Sequence, residues 1–369
     1  MGHRILALII KEFLALFRDK KSRMAVIVPP ILQLLIFGYA ATFDLEHATL
    51  AVFNEDAGSF SRELIGRFER SAGFEVVGML RSEAEIADLI DRQAALLVLR
   101  IGEQCSANVA NGEGCPVQVL IDGRNSNTAM LALNFVRSIV TDFNEERIEQ
   151  TTGAKLPARI TMRAWFNPNL ESRWFIVPGI VALLAMVVTL IVTALSVARE
   201  REAGTFDQLL VTPLRPWEIL IGKAMPGLIV GVGEALLIIA VAVHWFQVPL
   251  TGDLLTLLPA LVIYVLSIIG VGLMISSFSA TLQQALLGAF LFLVPAVTLS
   301  GFSTPIANMP DFMQALTYLD PMRYFLTIVR RVFLEGAGLE YFWHELWPMS
   351  LIALVTLAMA TWLFRHRMY

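Results

Sequence analysis

From residue 254 to residue 310 the chain runs 57 residues without one charged side chain. Only lipid accommodates that much apolar chain in one piece, and lipid admits a backbone only if its polar groups bond to one another, as in a helix. A single helix of that length would reach about 85 Å, far beyond a hydrocarbon core of about 30 Å. The run must therefore break, and the polar stretch SSFSATLQQ, residues 276–284, is the place for it. Two crossings result. Hydrophobic residues make up 56% of the chain and charged ones 16%, with a mean hydropathy of +0.65, a composition that excludes an ordinary soluble domain.

Four further spans follow from the same reasoning. Residues 174–198 are uncharged between Arg173 and Arg199; 223–244 is interrupted only by Glu234; 347–364 forms the last; and 24–43, with Pro29, Pro30 and Gln33, forms the first. Six crossings put both termini on one side. Arg4, Lys11, Arg18, Lys20, Lys21 and Arg23 in residues 1–23, Arg199, Arg201, Arg215 and Lys223 in the 199–223 segment, and Arg365 and Arg367 in the tail mark that side as cytoplasmic by the positive-inside rule. Arg323, Arg330 and Arg331 fall outside and run against it. Residues 1–23 also imitate a signal peptide, but Arg4, Lys11, Glu12, Arg18 and Asp19 share one helical arc opposite Ile5, Leu6, Ile9, Phe13 and Leu16. That pattern predicts a cytoplasmic interfacial helix leading into an uncleaved first span.

Residues 44–173 read differently. Apolar runs at 49–53, 74–79, 95–101 and 117–121 alternate with helical stretches at 60–70, 83–92 and 126–149, the pattern of a compact α/β domain, and the topology places it outside. Its Cys105 and Cys115 are the chain's two cysteines. In an oxidising compartment they can close a disulfide across the loop CSANVANGEGC; two unpaired thiols is the other reading, and spacing does not choose.

Catalytic motifs are missing: no GxxxxGK[ST] phosphate loop occurs, and the WHELW stretch at 343–347 holds one His, too few for a two-His zinc site. No metal site or bound cofactor is therefore expected, and energy must come from a partner. Glu234 is the one acid inside a span; about 16 Å from Lys223 along a helix, it lies near the bilayer centre. There it is either hydrogen-bonded to a neighbour such as Ser267, Ser276 or Gln284, or part of a substrate path.

The segment EREAGTFDQLLVTP, 200–213, followed by Gly222 and Lys223, resembles the cytoplasmic signature of ABC-2 type permeases, the membrane subunits of ATP-driven exporters. FQVPLTGD at 246–253, LMISSFSATLQQA at 273–285 and the long stretch at 299–336 are similar in the same order, and the likeness to the bacterial inner-membrane, multidrug-efflux-like branch covers nearly the whole chain. The fold expected is an α-helical polytopic membrane protein, with six transmembrane helices and an inserted extracytoplasmic α/β domain between the first and second. The resemblance implies an outer re-entrant segment at 304–340, a working unit of two permeases (a homodimer or a pair with a paralogue) and two ABC ATPase subunits that carry ATP and Mg. A periplasmic adaptor and membrane lipid complete the partners, with no nucleic acid. The 199–223 segment becomes the surface that couples to the ATPase, through Glu200, Arg201, Glu202, Gly204, Thr205, Phe206, Asp207, Leu209 and Leu210, with a helix expected over 199–210. Glu200 and Glu202 are expected to make the charged contacts. A substrate path along the second and fifth spans would use Thr189, Thr193, Glu234, Thr298 and Ser300. An ion-gradient transporter, a membrane-anchored receptor, and an exporter of lipid or polysaccharide are the competing readings.

Overall fold

The computed structural model describes residues 2–18, 24, 28, 30–36, 39, 47–153, 163–168, 171–206 and 214–366. They form two compact units, one from Met1–Thr42 with Ala164–Tyr369, the other Phe43–Arg163.

In the first unit five helices are, among the described residues, long and apolar enough to cross a membrane. They are α6 (Ser172–Glu202), α7 (Pro216–His244), α8 (Leu254–Phe278), α9 (Leu282–Leu299) and α12 (Trp343–His366, preceded by a 3-10 turn at Leu339–Phe342). The first expected span, 24–43, lies largely outside the described residues; within it 30–36 are helical. Each of the five long helices carries an internal proline: Pro178, Pro226, Pro259, Pro295 and Pro348.

The helix ends are written in the sequence. The long apolar run breaks at Ser279, and α9 begins at Thr281, whose hydroxyl accepts the Gln284 N–H at 3.3 Å while the Gln284 side chain accepts the Ala280 N–H at 2.8 Å. This reciprocal capping satisfies donors that would otherwise be orphaned in the break. At α7, Pro216 takes the first position and Glu218 accepts the Arg215 N–H at 2.8 Å, so the helix starts one to two turns before Lys223.

α6 is the bundle's centre, with Ile180, Val181, Ala182, Ala185 and Met186 fully buried. Tyr264 of α8 donates its hydroxyl to the Ala182 carbonyl at 2.9 Å and stacks on Phe325, ring centroids 4.4 Å apart. Small residues let backbones approach: a Cβ on Gly227 would fall 2.5 Å from Thr193 Cγ2, and one on Gly270 2.8 Å from the Leu357 N.

Between α9 and α12 the chain makes two short pieces punctuated by proline, α10 (Asp311–Leu316) after Pro310 and α11 (Pro321–Leu334) starting on Pro321. α11 buries Phe325, Val329, Val332 and Phe333. It meets the start of α8, where Thr251 N–H donates to the Phe333 carbonyl at 3.0 Å, and the start of α12, where Arg331 pairs with Glu345 at 3.3 Å. Arg330 stacks over Phe175 of α6, 3.8 Å from the ring centroid. The starts of α6, α8 and α12 thus share one end of the bundle with α11.

The second unit is a four-stranded sheet ordered β2-β1-β3-β4, from β1 (Ala48–Asn54), β2 (Phe74–Leu80), β3 (Leu97–Ile101) and β4 (Val117–Ile121). β1 runs parallel to β2 and β3, and β4 is antiparallel to β3. The two-residue period of a strand divides the core. Leu50, Val52, Leu97, Leu99 and Ile101 face α2 (Ser59–Glu69) and α5 (Ser126–Thr152); Ala51, Phe53 and Val98 face Ile86 of α3 (Ala84–Asp91). The one-turn α4 (Cys105–Ala110) opens on Cys105, which is disulfide-bonded to Cys115 across ten residues. Of the two readings spacing left open, the bonded one is present.

Candidate functional site

The connection between α6 and α7 stands at the bundle end opposite α11, and the chemistry beneath it is a buried charge cluster. α1 (Gly2–Arg18) lies against α7, with Leu8 packed on Gly222. One turn on, Glu12 turns inward and is 8% exposed, while Lys223 of α7 is 1% and Glu200 of α6 is 7% exposed. The Lys223 ammonium donates to Glu12 Oε1 at 3.0 Å and to the Ser196 carbonyl at 3.4 Å, and forms an ion pair with Glu200 Oε2 at 2.8 Å. Lys11 reaches Glu200 Oε1 from the rim. Two cations and two anions balance, which is the condition for keeping charge out of water.

Glu200, expected among the charged contacts to the ATPase, lies buried with its carboxylate paired to Lys223 and Lys11. Glu202 is exposed, and its Oε2 accepts the Leu282 N–H at 2.7 Å at the start of α9. Arg201 donates to the carbonyls of Ser277 at 2.9 Å and Ser279 at 3.3 Å at the end of α8, and stacks over Phe206. Phe206 is buried against Phe364 of α12 at 6.0 Å, so it is not a free apolar edge. Of the helix expected over 199–210, α6 covers the part to Glu202, a turn follows and Phe206 is helical again. Gly204 takes φ +67, a left-handed turn that suits glycine, and Thr205 N–H returns to the Glu200 carbonyl at 3.0 Å. Asp207, Leu209 and Leu210 lie outside the described residues.

The expected path residues are not brought together. Thr189 and Thr193 are fully buried, Thr193 bonding its own helix at the Thr189 carbonyl, 2.7 Å. Thr298 is exposed on α9 and bonds the Val294 carbonyl at 2.9 Å, and Ser300 is buried and bonds the Val297 carbonyl at 2.8 Å. The Thr193, Thr298 and Ser300 hydroxyls satisfy themselves on their own helices, whereas the buried Thr189 hydroxyl has no hydrogen-bond partner among the described residues. Glu234 faces a cavity that, among the described residues, none of these four lines. Its three expected partners are engaged elsewhere: Ser267 with Met349, Ser276 with Val197 and Ala198, Gln284 with Ala280.

Reading the sequence missed Lys223 as an anchor, because a lysine at the foot of a span looks interfacial. The signal was the neighbouring Gly222, which admits α1, and the lone acid Glu12 among the basic residues of that helix.

Residues 20–362 match the family described as ABC-2 family transporter protein. The chain belongs to the ABC-2 transporter family. Along all 369 residues this ABC-2 permease is 42% identical to "Probable multidrug ABC transporter permease YbhR" of Escherichia coli strain K12, covering the whole of both chains. It is 33% identical over 340 residues to "Probable multidrug ABC transporter permease YbhS" of the same strain, covering 90% of this chain and 89% of the other. "Inner membrane transport permease YhhJ" is 24% identical over 340 residues, 91% of this chain and 90% of its own. The protein is a multi-pass membrane permease subunit, and its family implies a separate ABC ATPase and a second permease as partners.

Proposed function

We propose that this permease moves hydrophobic or amphiphilic, drug-like molecules out of the cytoplasm or inner leaflet of a bacterial inner membrane, driven by ATP and Mg bound on the partner ATPase. In this reading there are six spans, both termini are cytoplasmic, the 44–173 unit stands outside, and the second permease is either another copy or a paralogue. Membrane lipid surrounds the pair, and a periplasmic adaptor receives the cargo. The names of the two Escherichia coli relatives, multidrug permeases, support the substrate class.

The observation that carries the coupling role is how the α6–α7 connection is tied in. Arg201 holds the end of α8, Glu202 the start of α9, Phe206 packs on α12, and Glu200 joins α1 and α7. A push on that connection reaches every described long helix. Glu202, Gly204 and Thr205 remain exposed for the ATPase to press.

The test is ATP-driven dye efflux in membrane vesicles containing permease and ATPase. Glu202→Lys, which reverses an exposed charge, should preserve insertion and abolish transport; undiminished ATP-driven transport would refute the coupling surface. Transport that persists without the ATPase would favour an ion-gradient mechanism instead.

A further inference from the structure

Between α1, the helical residues 30–36 and α7 lies a cavity of about 310 Å³, the lower end of the size that takes a drug-like molecule. Phe13, Ile31 and Leu34 line one side, and Gly233 and Leu237 the other. Among them stands one acid, Glu234, and among the described residues neither of its carboxylate oxygens has a hydrogen-bond partner and no cation lines the cavity. The cell's usual solution, a neighbouring Arg or Lys, has been used a few turns away for Glu12 and Glu200 and withheld here. A buried acceptor pair without a donor is costly, and in native proteins it calls for an explanation such as an absent ligand.

We propose that this cavity binds a cationic amphiphile, with an ammonium head on Glu234 and an apolar body against Phe13, Ile31 and Leu34. The charge of the occupant follows from the orphaned carboxylate, its apolar body from the walls, and its size from the volume. The Phe13 ring adds a face that attracts cations. The site deepens the drug-like substrate reading by giving it a sign of charge. Among the described residues its lining includes neither Thr193 nor Thr298, so it differs in place from a path along them.

The experiment uses the full chain in phosphatidylcholine nanodiscs, without ATP or partner, so that its outcome is independent of ATP-driven export. The probes are a benzophenone carrying an aminobutyl chain and the same compound N-acetylated, which keeps the body and removes the charge. Photolabelling is mapped by mass spectrometry. In the native chain the amine should label the cavity's peptides with half-saturation at least roughly tenfold below the acetylated form, as expected for a charged hydrogen bond in an apolar site. Glu234→Gln should erase that gap and leave the acetylated probe within about twofold. Gly233→Leu, at a position where a Cβ meets nothing within 4 Å, should weaken both probes by filling the cavity. A gap that survives Glu234→Gln, equal weakening of both probes by that variant, or labelling indifferent to Gly233→Leu would each overturn the proposal.

Discussion

Leu8 and Gly222 meet so closely that a Cβ added to the glycine would fall 2.7 Å from the leucine Cγ. Nothing larger than hydrogen fits there, and this contact brings α1 near enough for Glu12 to reach Lys223. Gly222→Ala should lift α1 by a fraction of a turn's width and cost about 1–3 kcal/mol, the usual penalty of overpacking. Thermal unfolding in detergent should register that loss in the alanine variant, and an unchanged midpoint would mean that the two helices are not held by this contact.

The buried cluster predicts an asymmetry. Lys223→Met leaves Glu12 and Glu200 with the rim cation Lys11 alone and should destabilise the bundle by up to about 3–5 kcal/mol. Adding Glu12→Gln and Glu200→Gln should recover part of that loss, because two neutral amides no longer need a cation. Thermal unfolding of the parent and these two variants in detergent checks this, and a triple variant worse than Lys223→Met would contradict it.

In the sheet unit, Asp56 is buried and accepts the Ser106 hydroxyl, the Ser106 N–H at 3.3 Å and the Gly58 N–H at 3.2 Å. The Ser106 hydroxyl, the strongest of these donors, holds its carboxyl below the usual carboxylate range. A depressed acid stabilises the fold above its unfolded value, near pH 4, and loses that contribution as pH falls through the folded value. Denaturation midpoints of this unit, followed in the full chain, should therefore drop between pH 5 and pH 3 by about 1 unit of denaturant molarity or less, and Asp56→Asn should flatten that drop. An unchanged acid limb in the variant would remove Asp56 as its source.

Cys105–Cys115 closes a loop of ten residues of separation, for which chain-entropy reasoning gives about 2–3 kcal/mol. Cys105→Ala with Cys115→Ala should lower the stability of the sheet unit by that amount and leave the membrane helices unaffected. Reductant should do the same to the parent protein and nothing to the variant.

Much of the fold can be read from local rules. The run without charges sets the spans, and Thr281 with Gln284 sets the break between α8 and α9 as the polar stretch leads one to expect. The strand at 117–121 and the alternation of Leu50, Ala51, Val52 and Phe53 follow the two-residue period. What local rules cannot give is which charges meet. Lys223 and Glu12 are 211 residues apart, and each alone looks like an interfacial side chain. Glu200 and Glu202 are two positions apart and so point to different sides of one helix: one is buried against Lys223, the other exposed at α9. Their fates depend on neighbours that arrive later in the chain, which is why Glu200 reads as a docking charge from sequence and as an anchor in the fold.

The prolines give the bundle a mechanical grain. Pro178, Pro259 and Pro348 sit in the first two turns of α6, α8 and α12, and Pro295 in the last turns of the oppositely running α9, so four of the five lie toward the α11 end. Each deletes one rung of its helical ladder and lets the rod flex there. The other end is riveted by Lys223, Glu12 and Glu200. Force entering at the riveted end meets little give until it reaches the far layer, so we expect the helices to swing like reeds fixed at the base, opening at their tips. Amide exchange measured along α6 and α8 should then quicken on approaching Pro178 and Pro259.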